Sequence, residues 1–234
     1  MARVLLGVTG SVAAIRVPAL CEVLCAGGHE VRIAATEHAF YFFDPADLDA
    51  PSWVPGGALV EDGRGSGESP AARVTVHRDR DEWPAAPYRR GDEVLHIALR
   101  SWADVLVVAP LDANTLAKFA LGLSDNLLTC VFRAWDFAKP VVLAPAMNTL
   151  MWSSPVTQRH LRMLLDDRGD GRAPLDWPLD AADLVFARHA PRIILVPPQA
   201  KRLACGDFGL GAMAEPAAIA EAVLAWSEFK EGEA

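Results

Sequence analysis

Two short apolar runs constrain the fold of this chain more than any other feature of the sequence. They span residues 105–109 and 141–144, are rich in valine, and are each followed by a proline and then by small or polar residues. Continuous apolar runs of this length are typical of strands that are buried on both faces of a parallel sheet. Ligands bind such sheets beyond the carboxyl ends of the strands. We therefore expect a binding site at residues 112–115 and 146–148.

Strands and helices alternate along the rest of the chain. Further strands are predicted at residues 4–8, 29–35, 73–77 and 193–196, and helices at 11–26, 36–43, 94–102, 125–134, 155–165 and 215–229. The alternation predicts an α/β fold in one domain, 1–234, with a doubly wound, Rossmann-like or flavodoxin-like parallel sheet and helices on both faces. Two segments rich in Pro, Gly and Asp, at about 44–72 and 166–190, are predicted to be irregular insertions.

The composition excludes several classes of partner. A formal net charge of −8 argues against a nucleic-acid surface and an anionic membrane, because phosphate groups are bound by clustered Lys and Arg. No apolar segment reaches the length of a membrane span, and we expect no signal peptide. Four cysteines in a chain of this length do not form a disulfide framework. We expect no metal site and a cytoplasmic location.

The turn after the first strand has the chemistry of an anion site. Gly10 is expected to allow a tight turn, and Ser11 to cap the helix that begins there. The free N–H groups of a first helical turn attract phosphate, although an ordinary strand-to-helix turn remains the alternative. The sequence lacks a full G-x-G-x-x-G fingerprint, which disfavours a dinucleotide. Pro18 is expected to kink or divide the helix, and Thr36 to cap the next one.

A single cysteine, Cys205, follows the last predicted strand. Residues 203–216 are rich in glycine, which predicts a flexible loop and neither a strand nor a helix. A thiol on such a loop can reach a substrate and protonate it. An incidental loop thiol is the alternative, and the chemistry alone does not decide between the two. His96 lies near the start of a predicted helix, where a histidine by itself is typical of ordinary packing or solvation.

Five motifs then occur in order along the chain. They are Thr9-Gly10-Ser11-Val12-Ala13, His96 ahead of Trp102-Ala103-Asp104, Ala113-Asn114-Thr115-Leu116-Ala117-Lys118, Ala144-Pro145-Ala146-Met147-Asn148 and Ala204-Cys205-Gly206-Asp207. By these motifs the chain resembles the flavin-containing cysteine decarboxylases over nearly its whole length, outside residues 44–72 and 166–190. Gly211-Ala212-Met213 is similar to the eukaryotic, stand-alone form of that family.

The resemblance implies FMN as the cofactor and an activity in coenzyme A biosynthesis. The implied reaction converts 4′-phosphopantothenoylcysteine to 4′-phosphopantetheine and CO₂. In it the substrate is oxidised to a transient thioaldehyde, loses CO₂ to give an enethiol, and is reduced to the saturated thiol. By the same resemblance His96 is the acid/base of the oxidative decarboxylation, and Cys205 protonates the enethiolate during the reduction.

The resemblance also implies binding residues and an assembly. Asn148 would fix the substrate carboxylate through its amide donors; the remaining substrate contacts would be Ala146, Met147 and Met151. The residues implied to line the FMN site are Gly10, Ser11, Val12, Thr36, Asp112, Ala113, Asn114, Thr115 and Ala146. The family often has serine at position 112, and a carboxylate there must point away from a phosphate. The implied assembly is a homotrimer with its sites between subunits.

Several alternatives stay open at this point. A peptidyl-cysteine decarboxylase shares the His96 and Pro-Ala-Met-Asn features, but the Ala-Cys-Gly-Asp segment favours a saturated product. A flavin prenyltransferase shares the sheet architecture, but the presence of both His96 and Cys205 disfavours it. A non-catalytic regulatory subunit of a protein phosphatase is disfavoured because His96, Asn148 and Cys205 are all present. Lys201 and Arg202 are either contacts for the substrate phosphate or solvated charges.

Overall fold

The predicted parallel sheet is present in the computed structural model, which describes residues 1–48, 53–55, 74–202 and 208–232. The strands are β1 Arg3–Val8, β2 Glu30–Ala35, β3 Trp53–Pro55, β4 Val74–Arg78, β5 Val105–Leu111, β6 Val141–Pro145 and β7 Ile193–Leu195. Within this part of the chain they lie in the order β3-β4-β2-β1-β5-β6-β7, and every neighbouring pair is parallel. All residues of β5 and β6 are buried, as their apolar runs predict.

Helices cover both faces of this sheet, which confirms the doubly wound architecture. They are α1 Val17–Ala26, α2 Asp79–Glu82, α3 Leu95–Trp102, α4 Ala113–Leu121, α5 Leu127–Arg133, α6 Thr149–Trp152, α7 Pro155–Arg168, α8 Ala182–His189 and α9 Pro216–Gly232. One core lies between the sheet and α1 and α9, with Leu20 and Ile219 buried in it. The other lies beneath the remaining longer helices, with Leu99, Leu116 and Phe186 buried in it. In the part of the chain that the structure describes, no helix combines the length and the apolarity needed to cross a membrane.

The first predicted helix is divided, as Pro18 predicts. Residues 12–16 form a 3₁₀ helix, and α1 then begins with Pro18 in its first turn. Proline fits there because the N–H groups of a first turn have no acceptor within the helix. Gly27 caps the end of α1, as its position after the apolar pattern predicts.

The two segments predicted to be irregular insertions both contain ordered secondary structure. The prediction of an irregular segment at about 166–190 is wrong over its second half, because α8 occupies residues 182–189 and buries Phe186 completely. In the segment at about 44–72, β3 and a 3₁₀ turn at 45–47 are ordered secondary structure, which the sequence did not predict. Residues 49–52 and 56–73 lie outside the described residues, so the prediction stays a prediction there.

The predicted flexible loop at 203–216 is also wrong in part. Residues Phe208–Ala212 form a strand, β9, which pairs antiparallel with β8, Gln199–Arg202, as a separate two-stranded sheet. Residues 203–207, which include Cys205, lie outside the described residues.

Candidate functional site

The predicted site residues at the ends of β1 and β5 are joined by a buried hydroxyl. Thr9 follows β1, is fully buried, and donates from Oγ1 to the carbonyl oxygen of Pro110 at 2.8 Å. The same Oγ1 accepts a hydrogen bond from the backbone N–H of Asp112 at 2.9 Å. One side chain therefore fixes the backbone at the carboxyl ends of two neighbouring strands, where the ligand site is expected.

The segment that follows β6 is hydrogen-bonded to the ends of β1 and β5. The N–H of Ala146 donates to the carbonyl oxygen of Leu111 at 2.9 Å. Ser11 donates from Oγ to the carbonyl oxygen of Ala146 at 3.3 Å, and this Oγ accepts from the N–H of Ala13. Ser11 is thus the N-cap of the 3₁₀ helix, as predicted, and it also connects the first turn to the segment after β6.

Gly10 is required here for a different reason from the one predicted. Its φ lies outside the left-handed region, so the turn itself does not demand glycine. A Cβ at this position would lie 2.7 Å from Cβ of His38, closer than real Cβ contacts allow. The expected tight turn at Gly10 is present, since the N–H of Ser11 donates to the carbonyl oxygen of Thr9 at 2.8 Å, but glycine is required because the segment after β2 approaches so closely.

Thr36 lies where predicted, at the end of β2, but its side chain does not cap the following 3₁₀ helix. Its backbone N–H donates to the carbonyl oxygen of Val8 at 2.9 Å, and the side chain is buried. The acceptor for the N–H of Glu37 is Oδ2 of Asp79, at 3.2 Å. Thr36 therefore occupies the predicted N-cap position, but the expected side-chain hydrogen bond is absent, and a carboxylate from α2 accepts the first N–H of the helix.

Asp112 has a defined structural role. Its Oδ1 accepts from the N–H of Thr115 at 2.7 Å, so the carboxylate caps α4. Such caps stabilise a protein by about 1 kcal/mol. This hydrogen bond holds the negative charge against the start of α4, where the helix dipole favours it.

The donors at this edge fit a flavin mononucleotide. Among the described residues, no hydrogen bond uses the first-turn N–H groups of Val12, Ala113 and Asn114. Two helical first turns at one edge of the sheet therefore offer backbone donors for phosphate and for the carbonyl and nitrogen atoms of a flavin. Ala146, which is small and buried, lies between them. The structure brings the predicted cofactor residues together, while their roles toward FMN stay predictions.

His96 lies in the first turn of α3 and is held by a residue that the sequence did not indicate. Glu82, at the end of α2, accepts from the backbone N–H of His96 at 2.8 Å, and its other oxygen lies 2.6 Å from Nδ1 of the imidazole. The Glu82 side chain is 5% exposed and that of His96 is 22% exposed. The only sequence signal for Glu82 is its place in a charged, proline-broken connection.

Asn148 follows β6 and caps α6. Its Oδ1 accepts from the N–H of Met151 at 2.8 Å, so the side-chain NH₂ group is left as the donor that the predicted carboxylate contact needs. Asn148 itself is exposed, Met147 is buried and Met151 is half-exposed. Among the described hydrogen bonds, none connects His96 with Asn148.

The β8–β9 hairpin lies directly on this segment. The N–H of Met147 donates to the carbonyl oxygen of Gly211 at 3.0 Å. Gly211 has a φ of +149°, and a Cβ there would lie 2.1 Å from the Met147 carbonyl oxygen. A Cβ at Gly209 would lie 2.1 Å from Oγ1 of Thr149. The glycines thus allow the hairpin to contact residues 147–149, and the strands on either side of residues 203–207 are held there.

Lys201, a candidate for the substrate phosphate, is already paired. It forms an ion pair with Glu215, which also pairs with Arg16. The Arg16 guanidinium and the Lys201 ammonium lower the pKa of Glu215 to about 2. Glu215 therefore competes with any phosphate for Lys201.

Comparisons with known proteins agree with this geometry. The flavoprotein family model matches residues 1–228. Phosphopantothenoylcysteine decarboxylase of Arabidopsis thaliana is 45% identical over 225 residues, which are 96% of this chain and 85% of that protein. The enzyme of the same name from Mus musculus is 42% identical over 224 residues, with 95% and 86% covered.

Solved structures show the same fold. A phosphopantothenoylcysteine decarboxylase with a cysteine-to-serine change, complexed with pantothenoylaminoethenethiol, is 44% identical, with a TM-score of 0.72 over 97% of this chain and 98% of that one. The FMN binding protein AtHal3 is also 44% identical, with a TM-score of 0.69 and 97% of each chain covered. The chain therefore belongs to the flavoprotein family, among the phosphopantothenoylcysteine decarboxylases that it resembles over almost its whole length.

Proposed function

We propose that the chain catalyses the FMN-dependent decarboxylation of 4′-phosphopantothenoylcysteine to 4′-phosphopantetheine and CO₂ in coenzyme A biosynthesis. The observation that carries the proposal is the similarity to decarboxylases of this name along nearly the whole chain. His96 and Asn148, to which the resemblance assigns the acid/base role and the substrate carboxylate, lie in first-turn and cap positions where fixed hydrogen bonds orient them. A peptidyl-cysteine decarboxylase and a regulatory flavoprotein are the alternatives that the test must separate.

FMN supplies the reversible two-electron oxidation without which a cysteine carboxylate has no electron sink for the loss of CO₂. The protein would hold it with the first-turn N–H groups of Val12, Ala113 and Asn114, beside Ser11 and Thr36. The carboxylate of Asp112 is held against the start of α4, which leaves the neighbouring N–H groups to meet the cofactor.

The chain's own residues bind the substrate and move protons. His96 exchanges a proton with the substrate during the oxidative decarboxylation. The Asn148 NH₂ group donates to the substrate carboxylate and orients it for loss of CO₂. Cys205, which lies outside the described residues, would donate the proton that the enethiolate takes up in the reduction half, in which FMN would return the two electrons that give the saturated thiol. The pairing of β8 with β9, and the hydrogen bond from Met147 to Gly211 of β9, support this role because they place the hairpin against the segment that contains Asn148.

We also propose a homotrimer with its sites between subunits, in the cytoplasm. His96 bonds to α2, which follows β4, whereas Asn148 follows β6, and three strands of the sheet separate β4 from β6. At about 4.8 Å per strand, those two strands lie about 19 Å apart. Each residue has exposed apolar neighbours, Ile97 on α3 and Leu150 on α6, which are suited to subunit contact. The two residues would then meet across the interface.

The activity is tested with the purified protein and 4′-phosphopantothenoylcysteine under anaerobic conditions. The product mass and the flavin absorbance are recorded together. We expect 4′-phosphopantetheine with no net flavin reduction from the wild type and no CO₂ release from His96→Asn. Cys205→Ser should release CO₂ and accumulate the enethiol only until its flavin is fully reduced. A flavin-loaded protein that ignores this substrate but decarboxylates a peptide ending in cysteine would overturn the proposal in favour of the peptidyl enzyme. A flavin-loaded protein that decarboxylates neither substrate would favour the regulatory alternative.

The shared site is tested by mixing two inactive variants. His96→Asn and Asn148→Ala subunits are co-expressed with different tags, and doubly tagged assemblies are purified. If each site takes His96 from one subunit and Asn148 from another, some sites in the mixture are intact and activity returns. Mixed assemblies that stay inactive would show that both residues serve one chain's own site, and light scattering of the wild type would show whether it is a trimer.

A further inference from the structure

The four-residue helix α2 is fixed from two sides by its own acidic residues. At its start, Asp79 accepts from the N–H of Leu127 at 3.0 Å with Oδ1 and from the N–H of Glu37 at 3.2 Å with Oδ2. These two N–H groups begin α5 and the 3₁₀ helix after β2. So short a helix has little stability of its own, and the Asp79 bonds therefore determine where it lies. Glu82, one turn later, is placed by that anchor.

Glu82 contacts His96 with both oxygens of its carboxylate. Oε2 accepts from the His96 backbone N–H at 2.8 Å, and Oε1 lies 2.6 Å from Nδ1 of the ring. The carboxylate is almost completely buried, and an ionised carboxylate can only accept hydrogen bonds. The bond to Nδ1 therefore requires a proton on that nitrogen. In the neutral ring this leaves Nε2 as the unprotonated, basic nitrogen.

We infer that Glu82 is the positioning residue for His96: it fixes the ring orientation and keeps the neutral imidazole in its Nδ1–H form, so that Nε2 exchanges the proton with the substrate. The inference rests on the proposed function, in which His96 is the acid/base. Asp79 acts one step further away, because it holds the helix that carries Glu82. Glu82 itself does not touch the substrate. Carboxylates that orient a catalytic histidine in this way stabilise the reactive tautomer.

The first test uses Glu82→Gln, with Glu93→Gln as the matched control. Glu93 is exposed and lies three residues before His96, so the control makes the same chemical change on the same approach to α3. A glutamine side chain has one acceptor oxygen, so it satisfies either the backbone N–H or Nδ1–H of His96, not both. When its NH₂ group faces Nδ1, the ring must take the Nε2–H form.

The tautomer is read by two-bond ¹H–¹⁵N NMR of the flavin-loaded protein at a pH where the imidazole is neutral, with His96→Asn identifying the signal. We expect a pure Nδ1–H tautomer in the wild type and in Glu93→Gln, and a mixture of tautomers in Glu82→Gln. This measurement needs no substrate and no activity. An Nε2–H tautomer in the wild type, or an unchanged tautomer in Glu82→Gln, would overturn the inference whatever the protein's activity is.

The kinetic test measures CO₂ release at saturating substrate. We expect kcat of Glu82→Gln to fall about 10²-fold, since acid/base catalysis contributes at least that much, with KM and flavin content nearly unchanged. Glu82→Asp keeps the charge but is one methylene shorter, and we expect it to restore part of the activity and the Nδ1–H form. It also replaces the glutamine variant if that one does not fold. Full activity of Glu82→Gln beside an inactive His96→Asn would refute the positioning role and leave the proposed function intact. An inactive wild type that shows the expected tautomer would refute the proposed function alone.

Discussion

Replacing Thr9 with valine removes two buried hydrogen bonds without changing the volume of the side chain. The hydroxyl donates to the Pro110 carbonyl at 2.8 Å and accepts from the Asp112 N–H at 2.9 Å, and Thr9 has no exposed surface. Valine leaves both backbone groups without a partner. Each unsatisfied buried group costs about 1–3 kcal/mol, so we expect the loss of both bonds in Thr9→Val to lower the free energy of unfolding by about 2–6 kcal/mol.

Thr9→Ser is the matched variant. It keeps the hydroxyl and both hydrogen bonds and loses only a methyl group, which costs about 1 kcal/mol. The order of stability should therefore be wild type, then serine, then valine. A loss of about 3 kcal/mol in a chain of this size lowers the melting temperature by about 6–12 °C.

The comparison is made by thermal and urea unfolding at fixed protein and FMN concentrations, because a bound ligand or subunit also stabilises the folded state. We also expect weaker FMN binding by the valine variant, because the Asp112 backbone at the start of α4 is no longer fixed by β1. A valine variant as stable as the serine variant would refute the reasoning. It would mean that leaving the Pro110 carbonyl and the Asp112 N–H without the hydroxyl does not lower the stability.

Two further changes test the hairpin and a buried histidine. Gly211→Ala should lower the melting temperature and slow formation of the saturated thiol, because the new Cβ would collide with the Met147 carbonyl oxygen. Gly91→Ala is the control, since Gly91 also has a positive φ, +106°, but has open space around it. Equal effects in the two variants would mean that backbone strain alone is responsible. Burial lowers the pKa of His77 to about 4. Between about pH 6.5 and pH 4 the unfolded chain therefore binds more protons than the folded chain, and the free energy of unfolding falls as the pH falls through that window. Between pH 7.5 and pH 5 the free energy of unfolding of the wild type should fall by about 2 kcal/mol more than that of His77→Leu. An equal fall in the two proteins would contradict this.

The elements that sequence reasoning predicted are those whose signals are local. The runs at 105–109 and 141–144 bury every residue because both faces of the sheet are covered, and a continuous apolar run follows directly from that. Pro18 divides the first helix because its ring cannot occupy a helix interior. Ser11 caps the first turn because a hydroxyl two residues before an N–H is enough to reach it. None of these depends on a distant part of the chain.

The site depends on contacts between distant residues, and there the predictions were incomplete. Thr36 stands at the N-cap position without a side-chain hydrogen bond, and the N–H of Glu37 is bound by Asp79, 42 residues beyond Glu37 in the chain. Glu82 and His96 are separated by 14 residues without a helical or strand period. No local pattern indicates which carboxylate in a charged segment faces a given histidine. The resemblance to a family supplied His96, but only the packing of α2 against α3 supplied its partner.

The glycines of the hairpin show why composition alone was misleading. A cluster of glycines in a sequence predicts flexibility, because each lacks a side chain and gains conformational freedom in the unfolded chain. Gly209 and Gly211 are needed for another reason. Thr149 and the Met147 carbonyl oxygen occupy the space where a Cβ at these positions would lie. The same residue type therefore holds β9 against the segment that contains Asn148, where a loop was expected. The contact is between residues more than 60 positions apart, Met147 and Gly211, so only the folded chain shows that these glycines serve close packing.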